Sequence, residues 1–194
     1  MDSLKINELV RVVPLQVDEN DSGSQFDVLR SDDVMSFIDF GQTSIASVRS
    51  GAVHAFRYHD MLTNHFTVVS GAAVFCLWSF PGNYSVCGDD SVRMKPLLGK
   101  LESVRSRNMR CDRTPAAYDQ ILGDVDDWFL RIVVTAERPV RIDVPPGVVY
   151  GWCALEPRTV LLRTGSECRN QDEPDEFKLP WDLFGDGIWA IQCA

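Results

Sequence analysis

Short apolar runs separated by glycine or polar turns dominate the chain. Leu9-Val-Arg-Val-Val13 and Gln16-Val17 begin the series, and the polar cluster Asp18 to Ser24 interrupts it as a turn. Phe37 to Val48 mixes apolar and small polar residues. Val53–Tyr58, Phe66–Val69 and Ala72–Phe80 follow, then Trp128–Thr135, Val140–Val144, Val148–Leu155 and Thr159–Thr164. Runs of this length, bounded by turn formers and rich in β-branched and aromatic residues, read as strands. Their spacing of about 8–12 residues predicts an all-β sandwich or barrel.

Residues 81–127 break that pattern. They hold Pro-Gly-Asn and Gly-Asp-Asp turns, a basic run (Lys95, Lys100, Arg105, Arg107, Arg110, Arg113) and a candidate short helix, Pro115 to Leu122. A long irregular connection in a compact domain is uncommon and often serves as a lid; the plainer reading is a solvated excursion over a sheet edge. The expected organisation is one domain over 1–194: N-terminal strands 1–50, a first motif 51–80, the insertion 81–127, and a second motif with the C-terminal region 128–194.

Composition narrows the partners. The chain has 194 residues, 45% of them hydrophobic, which suffices for a packed core. Its net charge of −9 repels phosphate backbones, so nucleic acid is not an expected partner, although a local basic pocket for one anion remains open. The charged N-terminus does not read as a signal peptide, and no run approaches the roughly 18 apolar residues of a membrane span. The six cysteines form no C-x-x-C pair and read as free thiols in a reducing cytoplasm.

Two segments carry chemistry. Gly51-Ala-Val-His-Ala-Phe-Arg-Tyr-His-Asp-Met-Leu-Thr-Asn-His-Phe-Thr-Val-Val-Ser-Gly71 has the frame of a cupin's first motif. Ile142-Asp-Val-Pro-Pro-Gly-Val-Val-Tyr-Gly151, about 70 residues on, matches the second. Phe40-Gly-Gln-Thr-Ser lies upstream, and Asp172-Glu-Pro-Asp-Glu-Phe-Lys-Leu-Pro-Trp-Asp182 downstream. These four matches, in order over residues 16–80 and 128–182, resemble the dTDP-4-dehydrorhamnose 3,5-epimerases and related sugar-nucleotide cupins. The resemblance implies an all-β cupin, a double-stranded β-helix jelly-roll barrel with one long insertion. It also implies a homodimer that exchanges the strand at residues 9–17.

The departures from that family fall on its catalytic positions. Its histidine base corresponds to Arg57, and a guanidinium stays protonated, so it cannot serve as a general base near neutrality. Its substrate-binding arginine corresponds to His54, its lysine to Asn64, its tyrosine acid falls near Leu162, and its Arg-Gly turn is Ser22-Gly23. The aspartate that partners its base has no clear match. Metal cupins would place ligands at Arg57, His59, Asn64 and Tyr150. One strong ligand out of four, beside a cation, predicts no metal and no other cofactor.

Strand alternation places Arg57, Ala55 and His59 on one face, with Tyr150 and Trp152 facing them, and puts His54 and His65 on the opposite parity. Arg57, His59 and Tyr150 are therefore the catalytic candidates. His54, Asn64, Trp78, Trp152 and Arg163 are the substrate-binding ones. His59 has the only unperturbed pKa near neutrality among the catalytic candidates, and an arginine near Tyr150 would favour the tyrosinate. Each has a structural alternative: an ion pair for Arg57, a turn cap for His59, core packing for Trp78 and Trp152. The expected activity is an epimerase or isomerase acting without metal on a small carbonyl-containing molecule, for example a nucleotide-linked keto-deoxy sugar. Two other readings stay open: a metal-free isomerase or cyclase of specialised metabolism, and a non-catalytic small-molecule binder.

Overall fold

The computed structural model describes residues 5–33, 39–79, 129–172, 175–182 and 184–190. The insertion 81–127, with its basic run, its candidate helix and its lid reading, lies outside the described residues, as do Phe80 and Trp128.

Two five-stranded antiparallel sheets face each other in a jelly-roll barrel. The first has the order β1 (Arg11–Pro14), β9 (Val140–Val144), β6 (Asn64–Ser70), β11 (Thr159–Gly165), β4 (Gln42–Val48). The second has the order β12 (Phe177–Lys178), β5 (Val53–Tyr58), β10 (Val149–Ala154), β7 (Ala72–Trp78), β8 (Phe129–Thr135). The expected cupin-type β architecture is therefore the observed one. The polar cluster after Val17 is more than a turn: most of it forms a hairpin of β2 (Asp18–Asn20) and β3 (Gly23–Gln25). Gly23 there takes a φ of 132°, open to a residue without a Cβ.

Alternation builds the core. Phe66 and Val68, Phe75 and Leu77, Ile142 and Val144, Tyr150 and Trp152, and Leu161 point inward and pack together. Burying each large apolar side chain contributes about 1.5–3 kcal/mol. The outer face of the second sheet is buried too. Phe56, Val74, Cys76, Trp78, Val149 and Cys153 pack there under Leu179, Ile188 and Trp189 of the C-terminal segment. Burial on both faces explains why β7 reads as an unbroken apolar run rather than an alternating one.

Residues 6–9 form a single helical turn, α1 (Ile6–Leu9), which takes in Leu9, the first residue of the strand read from the sequence. The Glu8 carboxylate accepts the Lys5 N–H at 2.7 Å. Ile6 and Val10, four residues apart and so on one side of the turn, both enter the core. The strand then begins at Arg11 and pairs with β9 of its own chain, Arg11 opposite Asp143.

On the outer face of the first sheet, His65 and Thr67 alternate with the inward Phe66 and Val68. His65 Nδ1 lies 2.8 Å from Asp143 Oδ1, and Arg141 Nε donates to the same oxygen at 2.8 Å. Arg141 also pairs with Asp33 at 2.5 Å. The Arg141 and Asp143 charges are buried but paired, as burial demands. No helix among the described residues is long and apolar enough to cross a membrane.

Candidate functional site

The site is built on the seam between β5 and β10. Tyr150 lies opposite Arg57, yet Trp152 lies opposite His54, with the register shifting between them. Between these pairs the single residue Gly151 of β10 faces two of β5, Ala55 and Phe56, which is a bulge. The extra residue breaks the two-residue alternation and brings His54 to the same cavity as Arg57. This corrects the expected parity of His54. Ala55 is corrected as well: it packs against the outer cluster, not the interior.

A cavity of about 120 Å³ lies between the sheets, lined by His54 and Arg57 of β5, Tyr150 and Trp152 of β10, Phe66 of β6, Leu161 and Arg163 of β11, and Ser44, Ile45 and Ala46 of β4. The His54 ring stacks on Trp152, centroids 4.4 Å apart and 4° from parallel. Trp78 does not join them. With Phe75 and Leu77 facing inward, alternation sends Trp78 to the outer cluster, where it meets Phe184 edge-on at 5.3 Å. The sequence reading that placed Trp78 in the pocket is corrected on that ground.

His59 follows β5 and is 3% exposed. Its Nδ1 meets the backbone carbonyl of Asp175, and its Nε2 lies 2.9 Å from the Tyr150 hydroxyl. A carbonyl can only accept, so Nδ1 carries the proton in the neutral ring. Nε2 then accepts the hydrogen bond that the Tyr150 hydroxyl donates. Donating there uses no lone pair, so the phenol oxygen can still accept from another partner. The Asp175 carboxylate receives the backbone N–H groups of Asp60, Met61 and Leu62 at 2.9, 3.0 and 3.0 Å. One residue thereby fixes both the His59 ring and the loop that bears it.

Burial governs the protonation states. It pushes the Tyr150 phenol up to about 12, against the opposing pull of Arg163 and Arg57. The expectation that arginine would favour tyrosinate is therefore corrected: desolvation of the anion outweighs the nearby charges. Burial also lowers His59 below the usual imidazole range; Arg163 adds to this, and the Asp175 carbonyl opposes it. His54 is lowered by burial and then by Arg57.

The two arginines differ in their ties. Arg57 Nη1 pairs with Glu176 at 3.2 Å. Arg163 Nε donates to Asn64 Oδ1 at 2.6 Å. Asn64 is fully buried, and its Nδ2 has no partner among the described residues. The four positions that metal cupins use for ligands are thus tied into other contacts. Among the described residues, no three His, Cys, Asp or Glu side chains group to hold a metal ion. Asp175 and Glu176 were not singled out from the sequence. The acidic run Asp172 to Glu176 was the visible signal, but spacing could not tell which carboxylate folds back onto β5.

The fold has known counterparts. A dTDP-4-dehydrorhamnose 3,5-epimerase from Sulfolobus tokodaii superposes with a TM-score of 0.63, covering 94% of this chain and 83% of that one at 13% identity. The epimerase RmlC of Legionella pneumophila, in complex with dTDP-4-keto-L-rhamnose, gives 0.63 over 99% and 84% at 9% identity. ChmJ, a 3'-monoepimerase from Streptomyces bikiniensis in complex with dTDP-quinovose, gives 0.61 over 91% and 73% at 11% identity. The fold is that of the dTDP-4-dehydrorhamnose 3,5-epimerases. In sequence, the chain is similar to the spore coat polysaccharide biosynthesis protein SpsL of Bacillus subtilis, 24% identical over 175 residues, covering 89% of each. No protein-family profile matches the chain.

Proposed function

We propose that the protein is an epimerase- or isomerase-type enzyme acting on a nucleotide-linked sugar that bears a carbonyl group, with Tyr150 and His59 as its acid–base pair. The observation that carries this reading is the buried hydrogen bond from the Tyr150 hydroxyl to His59 Nε2 at the cavity. The similarity to SpsL and to the nucleotide-sugar epimerases supports the substrate class. In this scheme the Tyr150 oxygen takes the proton from the carbon beside the carbonyl while its own proton passes to His59 Nε2. The C–H electron pair moves into the carbonyl and forms an enolate. Return of a proton to the same carbon completes the exchange.

The coupling matters energetically. With the phenol held near 12, forming a free tyrosinate at neutral pH would cost about 7 kcal/mol. Concerted transfer to a neutral imidazole avoids that intermediate. Arg57 and Arg163 hold the negative charge that develops on the substrate oxygen. Trp152, its ring stacked on His54, adds apolar surface to the cavity wall.

The test is deuterium incorporation in heavy water from dTDP-4-keto-6-deoxyglucose and from UDP-glucuronate. Exchange at a carbon beside the carbonyl of either one supports the reading; no exchange from both removes it.

We also infer a homodimer in the cytoplasm. The resemblance to the epimerases supports the dimer, and so does apolar exposure on the first sheet, at Ile45 (70%) and Val69 (38%). Cys168 is exposed and has no disulfide partner among the described residues, which favours a reducing compartment.

A further inference from the structure

Alongside neutral polar groups, the cavity lining carries positive charge alone. Its charged lining consists of Arg57 and Arg163, and no carboxylate is among its described lining residues, although the whole chain carries a net charge of −9. Glu176 reaches Arg57 through one nitrogen only, at 3.2 Å. Arg163 uses Nε on Asn64, which leaves both its Nη groups without a partner among the described residues. Asn64 itself is fully buried and outside the cavity lining, where it fixes the Arg163 guanidinium through that one bond. A neutral ketone oxygen takes one or two donors and carries negative charge only once the enolate forms. A carboxylate has two oxygens, a full charge, and a shape that suits the guanidinium fork.

Building on the activity proposed above, we propose that the sugar ring of the substrate carries a carboxylate, bound in the cavity by Arg163 and Arg57, so that the substrate class is a nucleotide-linked sugar acid. The same two arginines would then face the anion that forms when the carbon beside that carboxylate loses its proton to Tyr150.

The diphosphate of a nucleotide sugar is the other source of negative charge, and matched ligands separate the two. Calorimetric titration of the full-length protein with UDP-glucuronate, UDP-glucose and UDP gives the comparison, repeated with the dTDP forms. UDP-glucuronate is expected to bind roughly ten-fold or more tightly than UDP-glucose, the scale of one charge-assisted hydrogen bond. R163Q is expected to bring the two affinities together. Equal affinity of the wild-type protein for the glucuronate and glucose forms would overturn the inference. So would UDP alone binding as tightly as UDP-glucuronate with the same sensitivity to R163Q, since the arginines would then serve the diphosphate. The wild-type comparison needs no variant, so it stands even if R163Q does not fold. Deuterium exchange is a separate readout. Exchange without carboxylate preference strikes this inference alone, whereas carboxylate preference without exchange retains it and removes the enzyme.

Discussion

Replacing Tyr150 by phenylalanine deletes one oxygen and leaves His59 Nε2 buried without its donor. The Y150F protein is expected to lose deuterium exchange by about 10²–10⁴-fold, the usual contribution of a positioned acid–base group. Its stability should fall by only about 1–3 kcal/mol, the cost of one unpaired buried acceptor, measurable by urea denaturation. The pH response follows from His59 and His54, both lowered below 6.5 by burial. The folded protein binds fewer protons than the unfolded chain in that range, so their contribution is fully present above 6.5 and is lost as pH falls through the depressed folded values. Exchange should show the same acid limb, since a protonated His59 cannot take the tyrosine proton. An activity that rises on acidification from 6.5 would contradict the assigned roles. At this scale the sequence identified Tyr150, His59 and Arg57 as candidates because they occupy motif positions. It could not rank burial against charge at Tyr150, because that balance depends on how completely the barrel encloses the phenol.

The strands were legible where one face is wet or both are dry. β5, β9 and β11 follow their hydrophobic pattern closely, and the unbroken run of β7 marks a strand covered on both sides. The bulge in β5 was not legible. An extra residue leaves no mark in composition, yet it decides that His54 and Arg57 share the cavity while Ala55 does not. Gly151 sits against this irregularity. A Cβ there would meet the Ala55 Cβ at 2.4 Å, Trp189 at 2.9 Å and Phe56 at 3.0 Å. G151A is therefore expected to destabilise the fold by about 1–3 kcal/mol through overpacking. The double variant A55G/G151A, which removes the shortest of these contacts, should recover part of the loss in the same denaturation assay. Equal stability of G151A and wild type would mean that β5 and β10 pack less closely than described.

At the scale of the whole molecule, the two-sheet architecture was readable from strand spacing and the two motifs, whereas the folding-back of the C-terminal segment was not. That segment contributes Leu179, Ile188 and Trp189 to the outer cluster, and Glu176 to Arg57. The inferred dimer makes a prediction at this level. Light scattering should give twice the 21.8 kDa chain mass, and I45E/V69E should reduce it to one. A wild-type mass of 21.8 kDa would exclude the dimer. The hydrogen bond that holds His59 comes from the main chain of Asp175, while its carboxylate lies farther off, 4.0 Å from the same nitrogen. Side-chain scanning at position 175 would therefore loosen the 60–62 loop yet leave the imidazole tautomer in place, and so would understate what this residue does. Exchanging the 175–176 amide for an ester weakens that carbonyl as an acceptor while every side chain stays native. Such a chemically edited protein is where the proton's address on the ring would first be lost.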